Sequence, residues 1–129
     1  VHRAVILEHA PPDAEAHFDW MIEDPMASGG HRLRTWRTSS RPDGERRFAA
    51  EQIAHHRAAY LAFEGEIPPA TPGGPARGVV RRLAEGAAIW RTAASDAVEF
   101  QIAWAGGPTL IYTGRRGADA RWQFDALRA

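Results

Sequence analysis

Five side chains in this sequence could serve a metal ion or move a proton: His9, His17, His56, Asp19 and Tyr60. His17 and Asp19 stand two residues apart in the segment H-F-D-W-M-I-E (17–23). On a strand they project from one face, about 6.6–7 Å apart along the chain. Side chains at that spacing can converge on one ion at about 2.0–2.2 Å. His9 ends the preceding apolar run, and a pairing of the two runs across residues 10–16 would bring it to His17. Two histidines and a carboxylate with open positions suit a divalent metal such as manganese, iron or zinc. Spacing alone is a weak signal, because a chain with six histidines will often hold an H-x-D by chance. His55 and His56 are adjacent and cannot both face one pocket from a strand, so one is a candidate ligand or general acid and the other is solvated. Tyr60 reads equally as a core aromatic with its hydroxyl at the rim, and Glu64 as a surface carboxylate.

The elements that must position these groups are mostly short strands. Phe18, Trp20 and Ile22 alternate strictly with His17, Asp19 and Met21, which predicts a strand with one face buried. Further strands are expected at 4–8, 33–39, 47–53, 78–83, 87–91, 98–104, 109–113 and 121–124, and a short helix over 55–62. Pro42-Asp43-Gly44, Ala84-Glu85-Gly86, Gly106-Gly107-Pro108 and Gly114–Gly117 read as turns between them. The Gly/Pro-rich stretch 65–78 reads as a long loop inside one domain, since the remaining ~50 residues are strand-like throughout. Turn signals at short, regular intervals predict a mainly β protein. The expected architecture is a single compact β-barrel domain over residues 1–129, of about eight short strands with one or two short helices. Trp20, Trp36, Phe100, Ile102, Trp104 and Ile111 fall at its apolar phase.

Composition narrows the chemistry further. There is no cysteine, which removes disulfides, thiolate zinc sites, iron–sulfur clusters and thiol nucleophiles. All 16 basic residues are arginine and are balanced by 16 acidic ones, which argues against coating duplex nucleic acid by bulk charge. It leaves room for a pocket that grips one or two phosphates. Acidic residues dominate positions 8–24 and arginines 32–57, the juxtaposition that a metal-plus-phosphate site requires. There is no G-x-S-x-G, and Gly73-Gly74 lacks the strand–loop–helix setting of a phosphate-binding loop. No apolar run nears the ~20 residues of a membrane span, and the first residues carry no signal-like apolar segment. A cytoplasmic protein without a membrane partner is the expectation.

At these same residues the sequence resembles the 3′-phosphoesterase domain of bacterial DNA ligase D. The segments L-E-H (7–9) and H-F-D-W-M-I-E (17–23) are similar to that family's K-H and H-Y-D-F-R-L-E. H-H-R-A-A-Y-L-A-F-E-G-E-I-P (55–68) is similar to its D-H-P-L-E-Y-x-x-F-E-G-x-I-P, and T-W-R-T (35–38) sits where it has a W-A-V-P strand. The likeness runs from about Ala4 onward and is strongest to a small stand-alone branch of the family. It implies a β-barrel that trims 3′-phosphate and 3′-ribonucleotide ends in DNA repair, with manganese, or zinc or another transition metal, as cofactor. Nucleic-acid 3′ ends and repair proteins would be its partners. By motif position, His9, His17 and Asp19 would be the metal ligands, His56 a phosphate-contacting histidine and Tyr60 an active-site tyrosine. The family's arginine two residues after the metal aspartate is Met21 here, and its lysine is Ser39 or Ser40. Arg37, Arg46 or Arg47 would have to replace the missing cation. Arg47 is assigned to the catalytic set with His56 and Tyr60, all beside the metal group. The alternative is a catalytically silent module on the same barrel that binds nucleic-acid ends or a partner.

Overall fold

Period-2 alternation extends over most of the chain and dictates antiparallel strands, each with an apolar phase turned to a common interior. The computed structural model describes all residues from Val1 to Ala129. The strands are β1 (His2–Ala10), β2 (His17–Glu23), β3 (Leu33–Thr38), β4 (Arg47–His56), β5 (Gly65–Glu66), β6 (Val79–Ala93), β7 (Ala97–Trp104), β8 (Thr109–Arg116) and β9 (Arg121–Arg128). They lie in the order β1-β2-β3-β4-β9-β8-β7-β6, and β6 pairs back onto β1, which closes an eight-stranded antiparallel barrel. The two-residue β5 pairs with the start of β6. Closure satisfies the backbone groups that an open sheet would leave at its edges.

The interior is aromatic. Trp20 packs edge-on or tilted against Trp36, Phe48, Phe100, Tyr112 and Phe124, with ring centroids 4.8 to 5.7 Å away. One end of the barrel is tied by a polar chain: the Trp104 indole donates to the Tyr112 hydroxyl, which donates to the Pro42 carbonyl, each at 2.9 Å. Burial pushes the Tyr112 phenol well above its usual range.

Several expectations change in detail. The 78–91 region is one strand, β6, with no turn at Ala84-Glu85-Gly86. Gly86 is there for space, since a Cβ would meet Ala103 O at 2.7 Å and Ile102 Cγ2 at 2.8 Å on the neighbouring β7. The expected helix over 55–62 is instead the last two residues of β4, His55 and His56, followed by a 3-10 turn at Ala58–Leu61, the only helical element. Ile111 is only half-buried, because Leu110 and Tyr112 occupy the inward phase of β8.

The largest difference is at β2, which is buried on both faces. Outside the barrel, Val5, Leu7, Met21, Leu33 and Val80 form a second apolar cluster under Leu61 and Ile67, with Tyr60 and Phe63 at its margin. The segment from the 3-10 turn to β5 therefore lies across the outer face of the sheet as a cover.

Candidate metal centre

The antiparallel register sets the site. His9 is opposite His17, and Leu7 opposite Asp19, so the outward side chains at the β1–β2 end meet on one patch. The nearest ligand atoms of His9, His17 and Asp19 all lie within 4.8 Å of one another, on the face opposite Phe18, Trp20 and Ile22. His9 Nδ1 is 3.2 Å from His17 Nε2 and 3.9 Å from Asp19 Oδ2, and His17 Nε2 is 3.4 Å from Asp19 Oδ1. The two imidazoles meet edge-on, with centroids 4.8 Å apart.

The backbone fixes which nitrogen faces the cluster. His9 Nε2 lies 2.8 Å from the carbonyl of Arg77, an acceptor, so the proton sits on Nε2 and the Nδ1 lone pair points at His17 and Asp19. Such a carbonyl contact is the usual orienting device behind a metal-ligating histidine. Gly78 makes it possible. It sits at φ +99°, and any Cβ there would run into the Ala10 backbone at the end of β1. The Arg77–Gly78 contribution escapes sequence reading, because only the register of β6 on β1 brings residue 77 to residue 9.

Electrostatics favour a neutral His17. The His17 imidazole is held below its ordinary pKa, first by burial; Arg37 and His9 push the same way, and Asp19 opposes them. Asp19 itself is 5% exposed. Two imidazole nitrogens and one carboxylate with room on the solvent side fit a divalent transition metal better than calcium or magnesium, which prefer all-oxygen sets.

The cation next to the cluster is Arg37. Asp19 pairs with Arg37 across β2 and β3, and the Arg37 Nε is 3.4 Å from Asp19 Oδ1. Arg47 is a correction. It stands at the start of β4, four residues from Glu51, the partner of Arg37, so roughly 13 Å along the strand. Its exposed side chain pairs instead with Asp125 at 3.1 Å. Cross-strand register selects Arg37, and register is invisible without the fold.

His56 and Tyr60 are brought to each other, with rings 5.5 Å apart. His56 lies opposite Leu33, four residues and roughly 13 Å along β3 from Arg37, and its Nδ1 is 2.9 Å from Ala54 O. Tyr60 borders the outer apolar cluster. Met21 lies within that cluster and is fully buried.

Fold and site together define a small closed β-barrel with a two-histidine, one-carboxylate group on its outer wall. Compared with protein-family models and with curated protein sequences, the chain matches none. No helix is long and apolar enough to cross a membrane.

Proposed function

We propose that this barrel is a divalent-metal-dependent phosphoesterase acting on 3′ ends of nucleic acid, removing a 3′-phosphate or 3′-ribonucleotide during DNA repair. The observation that carries the reading is the convergence of His9, His17 and Asp19 within 4.8 Å, with the Arg37 guanidinium against the same carboxylate. A bound divalent ion, manganese by resemblance, supplies Lewis-acid polarisation of a phosphoryl oxygen and a more acidic water. The chain's own residues do the rest. His9 is held in one tautomer by Arg77 O, and His17 is kept neutral by burial. Arg37, half-exposed, swings from Asp19 to a non-bridging phosphate oxygen, where a charged fork is worth most. His56 and Tyr60 receive the nucleotide strand where it crosses the far end of the outer face.

One observation favours the silent, end-binding alternative. Met21 is buried beneath the cover, so β2 offers no cation two residues beyond Asp19. Calorimetric titration with Mn²⁺ and Zn²⁺, then phosphate release from a 3′-phosphorylated oligonucleotide, separates the readings. The phosphoesterase reading expects one ion per chain and metal-dependent release that is lost in His17→Ala. Ion binding and oligonucleotide binding without release select the alternative; no ion binding overturns the metal site.

A further inference from the structure

A second group of charged side chains lies at the other end of the barrel, away from His9 and His17. Arg34, near the start of β3, turns inward and is 4% exposed. Its guanidinium carbon sits 5.0 Å from the Trp36 ring centroid and 5.3 Å from that of Trp122. A guanidinium stays charged in a protein, and a buried charge is costly unless it is paired and hydrogen-bonded. Here the pairing is incomplete. Nη2 donates to Ala94 O at 2.8 Å, while Nε is buried with no acceptor. Arg34 forms no ion pair. The nearby Asp24 is already used: its Oδ1 accepts from the Met26 amide at 2.8 Å, and its Oδ2 is 2.9 Å from His55 Nε2. Burial outweighs Asp24 and leaves the guanidinium less basic than usual.

Arg34 forms part of the wall of an open cleft of about 550 Å³ at this end of the barrel, and Arg116 and His55 line it too. The formal charge of the lining is positive, with two arginines against Asp24. That volume is in the range of small-ligand sites and exceeds the needs of a bare ion.

We propose that this cleft is an oxyanion-binding site, which takes the carboxylate or phosphate end of a small molecule against Arg34, with Arg116 as a further donor and the His55 ring, held by Asp24, as part of the wall. The anion supplies the counter-charge that the protein withholds from Arg34. Asp24 orients the His55 imidazole and does not compete for the guanidinium. The ring faces of Trp36 and Trp122 hold the guanidinium plane in place, so little ordering is required on binding. The site is independent of the metal centre and of the phosphoesterase reading.

The test is a ¹⁵N NMR titration of the full chain at constant ionic strength, following the arginine Nε–H and indole N–H signals. Inorganic phosphate and acetate are the two probes. At least one should produce a saturable shift of the Arg34 Nε–H and Trp122 indole signals. Saturation by phosphate alone identifies a phosphoryl ligand, and by acetate alone a carboxylate. Arg116→Ala, at an exposed position, should weaken that binding by about tenfold or more, the usual effect of losing a charge-assisted hydrogen bond. Arg34→Met should abolish it; if that variant does not fold, Arg116→Ala decides the matter. No saturable shift with either anion, or unchanged affinity in Arg116→Ala, overturns the proposal.

Discussion

On the inner side of β2, Trp20 is surrounded by five aromatic rings; one residue earlier, on the outer side, Asp19 is surrounded by two imidazoles and a guanidinium. The inner cluster is sealed by strands that hydrogen-bond to one another in a closed circuit. Beside the outer group, the apolar residues of the same face are covered by a single crossing segment, the 3-10 turn to β5, through Leu61 and Ile67. The contrast separates two tasks. The barrel tolerates polar shortfalls, with the indole N–H groups of Trp20, Trp36 and Trp122 all without acceptors, because its apolar area outweighs them. The outer face places groups of high chemical value where solvent and substrate can reach them, on a wall stiffened from behind.

The strongest way to break this comparison is to damage the inside. Trp20→Ala removes the ring that touches all five partners and should cost about 3–5 kcal/mol in urea unfolding, with cooperativity retained. A loss under about 1 kcal/mol would mean that the barrel interior does not carry stability as described. The outer counterpart is Leu61→Ala, expected to cost roughly 2–3 kcal/mol. Its signature should be local: hydrogen exchange should rise over 58–67 while β7 and β8 stay protected. Equal loss of protection in β7 would show that the cover and the barrel are one unit. Tyr112→Phe is milder. It strands the Trp104 indole and the Pro42 carbonyl, for about 1–3 kcal/mol, and should leave metal affinity untouched.

How much of this was legible in the sequence follows the same inner–outer division. Strict alternation in 17–23 gave both the barrel strand and the shared face of His17 and Asp19, because period 2 is a property of neighbouring residues. His9 could be added because the connection is short. The cover over Met21 was not legible; nothing local says that residues 60–67 return across β2. Arg37 does not stand out from Arg47 in the sequence for the same reason: choosing between them needs the β2–β3 register. Gly86 misled, since a glycine kept for close strand packing looks like one kept for a turn. The Asp24–His55 pair joins residues 31 apart and had no motif to betray it.

The smallest expected effect on stability is at the metal group itself, and it sharpens the comparison most. His17 is outside the barrel and half-buried, so His17→Ala leaves no cavity in the main core; at pH 7.5 without metal, the unfolding free energy should move by about 0.5 kcal/mol or less. Divalent-ion binding should nonetheless disappear, because two ligands remain where three converged. The acid side supplies the sign. In the metal-free chain the folded pKa of His17 lies below its unfolded value of about 6.5. Above that value the ring is neutral in both states and contributes no pH dependence. As pH falls below it, the unfolded chain takes the proton first, so wild-type stability declines toward the folded pKa. The alanine variant lacks that decline. The stability difference between wild type and His17→Ala should therefore shift in the variant's favour between pH 7.5 and 5.5, read from paired urea curves in chelator. A gap that stays constant, or moves toward the wild type, would mean that the imidazole is not buried against the Arg37 side of the cluster as described.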